Sequence, residues 1–387
     1  MKQVKPKTSI ILSGGGARAA YQVGVIKAIY QQIPRGSINP FPIICGSSAG
    51  AINATVMASY AGQYRIGLRR LESVWSNIQV NNVFIADFFG MLKQSSRFVR
   101  YLMGGRSRSN FSSLLNNQPL RELLRDVVPF HRLQDLINDK LLHALCVTCS
   151  DYNDGGSYSF FQGHSSIENW SRHRRLGLRD NIHLSHLMAS SAIPMIFPAV
   201  SLNHQFFGDG SIGFLSPISP AIHLGADKIL IIGLDTSPEE PRYACYDSNQ
   251  HPSITDIAGH VLDSVFIDSL DSDLERLQRV NKTLDSIPEH LLDQVDLPLK
   301  QVETLVISPS KDLQGFADEY AINLPSSTRF FFKRLGINGD EGSNILSYLL
   351  FDKNYCKRLI KLGYEDALNK QSEIQHFFRH LIHNNNE

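Results

Sequence analysis

Ser48 stands between two glycines in Gly46-Ser47-Ser48-Ala49-Gly50, after the apolar run Ile43 to Cys45 and before a helical pattern from Ala51 to about Ala61. A strand that turns sharply into a helix holds a serine on a strained turn with its hydroxyl exposed, as a nucleophile requires. Gly46 and Gly50 remove Cβ atoms that would crowd the strand–helix crossing. The helix begins at the serine, so its positive end favours an oxyanion forming nearby. An ordinary strand-to-helix turn uses the same small residues, so the string needs partners before it reads as chemistry.

A second glycine cluster, Gly14-Gly15-Gly16 followed by Ala17-Arg18-Ala19, comes after the short apolar run Thr8 to Leu12. Its spacing fits a dinucleotide-binding turn, which also needs an acidic residue ~20 positions on to hold a ribose. No Asp or Glu occurs between this loop and Glu72, and no Lys-Ser or Lys-Thr follows the glycines, so both nucleotide readings fail. Backbone amides entering a helix can instead face a negative charge. The amides of Gly15, Gly16 and Arg18 are candidates for holding the oxyanion of an acyl transfer.

A serine near neutral pH needs a base. Fourteen histidines are available, but His223, the first after Asp209, falls in a helical pattern, and none sits in an obvious loop before a glycine turn. Asp209, in Phe207-Gly208-Asp209-Gly210-Ser211, is better placed, because its glycines permit a tight turn. A lone carboxylate is a weak base unless burial raises its pKa. A plain Asp-Gly turn explains the same residues equally well.

The elements that must position these groups follow in order. Strand, glycine loop, helix and strand within roughly 40 residues form a βαβ unit, which implies a parallel sheet with a right-handed crossover. Leu141 to Thr148 and Ser157 to Phe161 read as a hairpin around a polar turn, and Gln205 to Gly208 as a strand leading to Asp209. A helix over Pro217–Leu224, a strand over Lys228–Leu234, a helix over Ile254–Val280 and a strand over Glu303–Ser308 follow. Thr236 to Ser253 reads as a surface loop, and the residues from Thr328 on, with Phe330, Phe331 and Leu349, as packed helices. Arg172-His173-Arg174-Arg175 reads as a solvated basic loop that could meet a phosphate head group. Between Gly67 and Gly104, Phe84, Phe88 and Phe98 alternate with Lys93, Arg97 and Arg100. An amphipathic helix with wet arginines explains this pattern best, and a cap touching anionic lipid over 84–108 is the alternative.

Composition narrows the field. A net charge of +1 with 42% hydrophobic and 19% charged residues describes a globular protein with a large core and gives no case for nucleic acid as a partner. Five cysteines form no secreted framework, which favours a reducing, cytoplasmic setting. Cys146 and Cys149 lie in a β-rich run, where residues three apart face opposite sides, so no metal is expected there. His376, His380 and His383 have metal-like spacing on a fraying terminal helix and read as solvated. The run after the N-terminal lysines is too short for a signal peptide, and 43–61 is too rich in small residues for a membrane span.

Taken together, these blocks resemble the patatin-like phospholipase family, in the family's order. Gly14 to Arg18 is similar to its oxyanion loop, Gly46 to Gly50 to its nucleophile motif, and Ala189 to Pro198 to a further block. Asp209-Gly210, with the unit running to Asp227, is similar to the block that carries its aspartate. Ser347 to Phe351 and Leu362-Gly363-Tyr364 resemble bacterial members. The resemblance implies a three-layer α/β/α fold with a mostly parallel sheet and added helices. It implies a catalytic region over 8–235, with a helical cap-like insertion at about 67–135, and further helices and one strand over 236–387 packed on the same domain.

It further implies a Ser48–Asp209 dyad without a catalytic histidine, oxyanion amides from Gly15, Gly16 and Arg18, and structural roles for Gly14, Gly46, Gly50 and Gly210. Neither metal nor organic cofactor is required. The implied activity is hydrolysis of phospholipid or other acyl-lipid esters, with peripheral membrane contact. A lipid-binding module without turnover, and an acyltransferase using an acceptor other than water, are the competing readings. Two positions depart from the family pattern: Ala19 stands where glycine is usual, and Ser211 where glycine or alanine is usual.

Overall fold

The computed structural model describes residues 6–85, 115–194, 196–212, 216–235, 254–288, 299–321, 324, 329 and 344–382. The stretches 86–108 and 236–253, Phe330, Phe331 and His383 lie outside the described residues.

Five parallel strands form the centre of the sheet: β1 (Thr8–Leu12), β2 (Ile43–Ser47), β3 (Ala144–Asp151), β9 (Lys228–Ile232) and β10 (Glu303–Ile307). Their spatial order is β10-β9-β1-β2-β3. β1, β2 and β9 are buried along their whole length, so they read as continuous apolar runs rather than alternating ones. Ile10, Leu12 and Ile44 enter the larger core with helices α1 (Ala20–Gln32), α2 (Ala49–Ser59) and α3 (Tyr64–Asn77). Ile11, Ile43, Cys45 and Ile229 enter a second core on the other face. α4 (Gln118–Val127) and α5 (Leu184–Ser190) join the larger core, and the second face is covered by α6 (Ser219–His223) and α7 (Ile254–Asp285). The result is the expected three-layer α/β/α arrangement with a mostly parallel sheet.

Past β3 the sheet turns antiparallel. β4 (Ser157–Gly163) pairs with β3 as a hairpin, β6 (Arg175–Arg179) runs parallel to β4, and β5 (Trp170–Arg172) closes the edge. The stretch read as a loop at Arg172–Arg175 is thus the tip of the β5–β6 hairpin. β7 (Val200–Leu202) pairs with β8 (Gln205–Asp209), and β8 pairs with the end of β3. Cys146 and Cys149 point into opposite cores, as strand alternation requires.

The C-terminal part packs against the first helix. α8 (Asn344–Leu349) lies over the turn at residues 16–19, and α9 (Lys353–Asn369) packs along α1. Close contact is possible because of two glycines. A Cβ on Gly24 would lie 1.9 Å from the Ile360 carbonyl oxygen, and one on Gly363 would lie 2.1 Å from that of Tyr21. Asp352 caps α9 by accepting from the amides of Asn354 and Tyr355.

Candidate active site

The end of β3 sets the geometry. β2 follows β3 in parallel as far as Ser47, opposite Thr148, and there the chain leaves the sheet. The next place along the same edge, opposite Cys149, is taken by Asp209, the last residue of the antiparallel β8. Ser48 and Asp209 therefore meet end to end beside one strand. Gly210 lets β8 turn away here, since a Cβ would lie 1.7 Å from the Thr148 carbonyl oxygen.

Ser48 has φ 52° and ψ −130°, a conformation that costs a non-glycine residue about 1–3 kcal/mol. Neighbouring groups hold it there. Its amide donates to Ser190 Oγ at 2.9 Å, and Ser190 Oγ donates to the Thr148 carbonyl at 2.6 Å. Gly50 passes under the β1 end, where a Cβ would lie 2.2 Å from the Leu12 carbonyl oxygen, and a Cβ on Gly46 would lie 2.6 Å from that of Gly50. The Ser48 hydroxyl donates to Asp209 Oδ2 at 2.6 Å.

Asp209 is buried, and burial pushes its carboxyl up to about 6, against the opposing pull of hydrogen bonds from Ser48 and Ser211. The Ser211 amide donates to Asp209 Oδ1 at 2.9 Å, while the Asp209 and Gly210 amides donate to the carbonyls of Ala192 and Ser190. Among the described residues, no histidine is bonded to Ser48 or Asp209. His186 is buried instead beside Phe160, with its Nε2 3.5 Å from Asp180.

The glycine loop lies against this pair. A Cβ on Gly14 would meet Ser48 Cβ at 2.7 Å and Ser211 Oγ at 2.0 Å. Ser211 thus occupies the room that Gly14 leaves. Ala19 has φ −62° and ψ −11°, in the right-handed region, so its methyl group brings no backbone strain. A chain of side chains fixes the loop: Gln22 donates to the Ser13 carbonyl, Asn53 donates to Ala19 and Gln22, and Trp75 donates to Asn53. The Arg18 amide donates to the Gly15 carbonyl at 3.0 Å, closing the turn. Its buried side chain donates to Ser347 Oγ at 2.7 Å, pairs with Asp235 at 3.2 Å, and lies 4.4 Å from the Tyr348 ring centroid.

Two cavities flank the loop. The larger, about 220 Å³, lies on the α7 side and touches Gly14, Ser47 and Ser211 but not Ser48. The smaller, about 50 Å³, is the one that Ser48 and Gly16 face, and its remaining wall is almost wholly apolar, including Ile52, Trp75, Leu123 and Phe351. We take the smaller cavity as the functional one because the Ser48 side of the loop opens into it. Ser190, Asn53 and Ser347 are site-building residues that motif reading passed over. The Ala189 to Pro198 block could have flagged Ser190. The Ser347 to Phe351 resemblance marked that segment, but nothing local could have flagged the bond between Ser347 and Arg18, 329 positions away.

Among the described residues no group of three His, Cys, Asp or Glu side chains could hold a metal ion, and no helix is long and apolar enough to cross a membrane. No curated protein matches the chain. Among solved structures it is similar to VipD from Legionella pneumophila, with 13% identity and a TM-score of 0.33 over 96% of this chain and 67% of VipD. It is also similar to human GIVD cytosolic phospholipase A2 in complex with methyl gamma-linolenyl fluorophosphonate, with 12% identity and a TM-score of 0.46. That alignment covers 97% of this chain and 59% of the human protein, so the chain spans well under two thirds of that relative. The patatin-like phospholipase family model matches residues 10–222, more than half of the sequence, and the chain belongs to the patatin-like phospholipase family.

Proposed function

We propose that this protein is a lipid acyl hydrolase in which Ser48 is the nucleophile and Asp209 its base. The observation that carries the reading is the 2.6 Å hydrogen bond from a conformationally strained Ser48 to a buried Asp209, beside an apolar cavity. Family membership supports a lipid ester as substrate. In the first step Asp209 takes the Ser48 proton as Oγ attacks the ester carbon. The carbonyl oxygen becomes an oxyanion, and the Gly15 and Gly16 amides face it. No other group accepts from these two amides among the described residues. Each such donor lowers the barrier by about 3 kcal/mol. The Arg18 amide, already engaged by Gly15, enters as the turn that aims the glycines. Protonated Asp209 then gives its proton to the departing alkoxide, leaving an acyl ester on Ser48. In the second half Asp209 takes a proton from water, the hydroxide attacks the acyl carbon, and Ser48 leaves with that proton.

The acyl chain lies in the apolar cavity beside Ser48. The membrane contact expected of such an enzyme falls to the Arg172–Arg175 tip, with the exposed Tyr152 and Phe206, at the same end of the sheet as Ser48. Free, buried Cys45, Cys146, Cys149 and Cys356 suit a reducing, cytoplasmic compartment.

The test is labelling and turnover together. A fluorophosphonate probe should label the native protein and not Ser48→Ala. Phospholipid hydrolysis should fall by about a thousandfold or more in Ser48→Ala and on the order of a thousandfold in Asp209→Asn. Undiminished hydrolysis in either variant rejects the dyad, and absence of labelling in the native protein leaves a lipid-binding module. Mass spectrometry of the products with added alcohols reads whether water is the acyl acceptor.

A further inference from the structure

The matched family region ends at residue 222, yet the wall of the Ser48 cavity is completed by a segment more than a hundred residues later. Tyr348, Leu349 and Phe351 all line it. The same segment braces the glycine loop: Ser347 holds Arg18, and the Tyr348 carbonyl oxygen lies where a Cβ on Gly16 would come within 2.1 Å. The segment is therefore built into the site and does more than cover it.

The cavity is small. A cavity of about 150 Å³ holds one benzene, and about 50 Å³ admits only the first few carbons of an acyl chain. One side of the cavity carries Trp75, Phe197 and Phe351, backed by Phe84 in a row of aromatic rings. Phe351 stacks on Trp75 with centroids 6.4 Å apart, and meets Phe84 edge-on at 6.4 Å. Phe84 in turn packs against Phe197. These rings are not held equally. Trp75 is fixed by its hydrogen bond to Asn53, which is itself bonded to Ala19 and Gln22. The Phe351 ring is held by packing, and the residue is carried on the short connector between α8 and α9, outside either helix, where its amide donates to the Leu349 carbonyl at 2.9 Å. Unlike Trp75, it can be changed without breaking a hydrogen bond of the loop network.

We propose that Phe351 sets the acyl-chain length accepted at Ser48, so that specificity is determined by a C-terminal segment outside the matched family region. This rests on Ser48 being the nucleophile. The proposal gives opposite signs at two positions: a smaller side chain at 351 deepens the cavity, and a larger one at Leu123, on a different wall, fills it.

The experiment measures kcat/KM for nitrophenyl esters graded from acetate to palmitate, in the native protein, Phe351→Ala, Phe351→Leu and Leu123→Phe. Phe351→Ala should raise the long-to-short preference ratio by about tenfold or more, Phe351→Leu by less, and Leu123→Phe should lower it. Fluorophosphonate labelling and thermal melting verify that each variant has folded with a formed site. Should Phe351→Ala fail to fold, Phe351→Leu and Leu123→Phe still give the two signs. Variants that label normally but keep the native chain-length profile overturn the assignment while leaving the Ser48 reading intact. A native protein that hydrolyses no ester in the series and does not label overturns the Ser48 reading, and the assignment with it.

Discussion

A carboxylate is a poor base because its ordinary pKa lies far below neutrality, and in the dyad proposed above the surroundings of Asp209 correct that. Burial raises it from 3.8 to about 6, while it accepts the Ser48 hydroxyl proton in a hydrogen bond. With Asp209 as base, log kcat/KM should climb with unit slope to a plateau above about pH 6, and a histidine-dependent enzyme would follow the pKa of that histidine instead. The same shift has a cost in stability. The native state takes up this proton at higher pH than the unfolded chain, so the contribution of this group to stability is greatest below pH 3.8. It falls as pH rises through 6, by about 3 kcal/mol. Asp209→Asn should abolish that fall, and urea unfolding of both proteins between about pH 4 and pH 7 would measure it. A pH-independent difference between the two would rule the linkage out. The strained turn at Ser48 was legible in the sequence because its glycines, strand and helix are all local. Asp209 was not distinguishable from a plain turn, because what matters is its place opposite Cys149, and strand pairing at that range leaves no local mark. Arg18 was read for its amide, whereas its buried side chain ties the loop to Ser347.

At the scale of elements, the site depends on strands that stop in register and on helices that approach closely. The parallel strands, the helices after them and the β3–β4 hairpin were legible from apolar runs and turn residues. The β5–β6 hairpin was not, because a short edge strand with three arginines near it lacks both the apolar run and the alternation that mark a strand. Leu362-Gly363-Tyr364 stood out only as a resemblance, and its physical content is now clear. Gly363 and Gly24 let α9 lie on α1, and Asp366 accepts from the Tyr21 hydroxyl at 3.0 Å and from Ser310. A methyl group at 363 meets backbone, which cannot move aside as a flexible side chain would. Gly363→Ala should therefore lower stability by about 3 kcal/mol or more, seen as an earlier urea midpoint. Gly36→Ala makes the control, since nothing lies within 4 Å of a Cβ there. Equal midpoints for Gly363→Ala and the native protein would mean that α1 and α9 are not held as closely as this.

The whole molecule presents one working end. The central parallel strands all finish there, and the hairpin pairings bring the start of β6 to the same end, because Ser157 pairs with both Ser150 and Arg175. Arg172, His173 and Arg174 are exposed at that tip, and among the described residues none of Arg172, Arg174 and Arg175 is paired with a carboxylate. Close to Asp209, Tyr152 and Phe206 are joined by a backbone hydrogen bond and stand 47% and 55% exposed. Aromatic rings at the same end of the sheet as unpaired arginines suit the boundary between lipid head groups and acyl chains. Each arginine near an anionic surface contributes about 1 kcal/mol, so replacing Arg172, Arg174 and Arg175 together with glutamine should weaken binding to phosphatidylserine vesicles by about a hundredfold. The loss should shrink as salt is raised, because the contribution is screened. Hydrolysis of a soluble short-chain ester should be retained, since the tip lies outside the Ser48 site, while hydrolysis of vesicle lipid should fall with binding. Sedimentation with vesicles of graded phosphatidylserine content reads the first effect, and the two assays side by side read the second. Unchanged sedimentation of the triple variant would rule this tip out as a membrane contact.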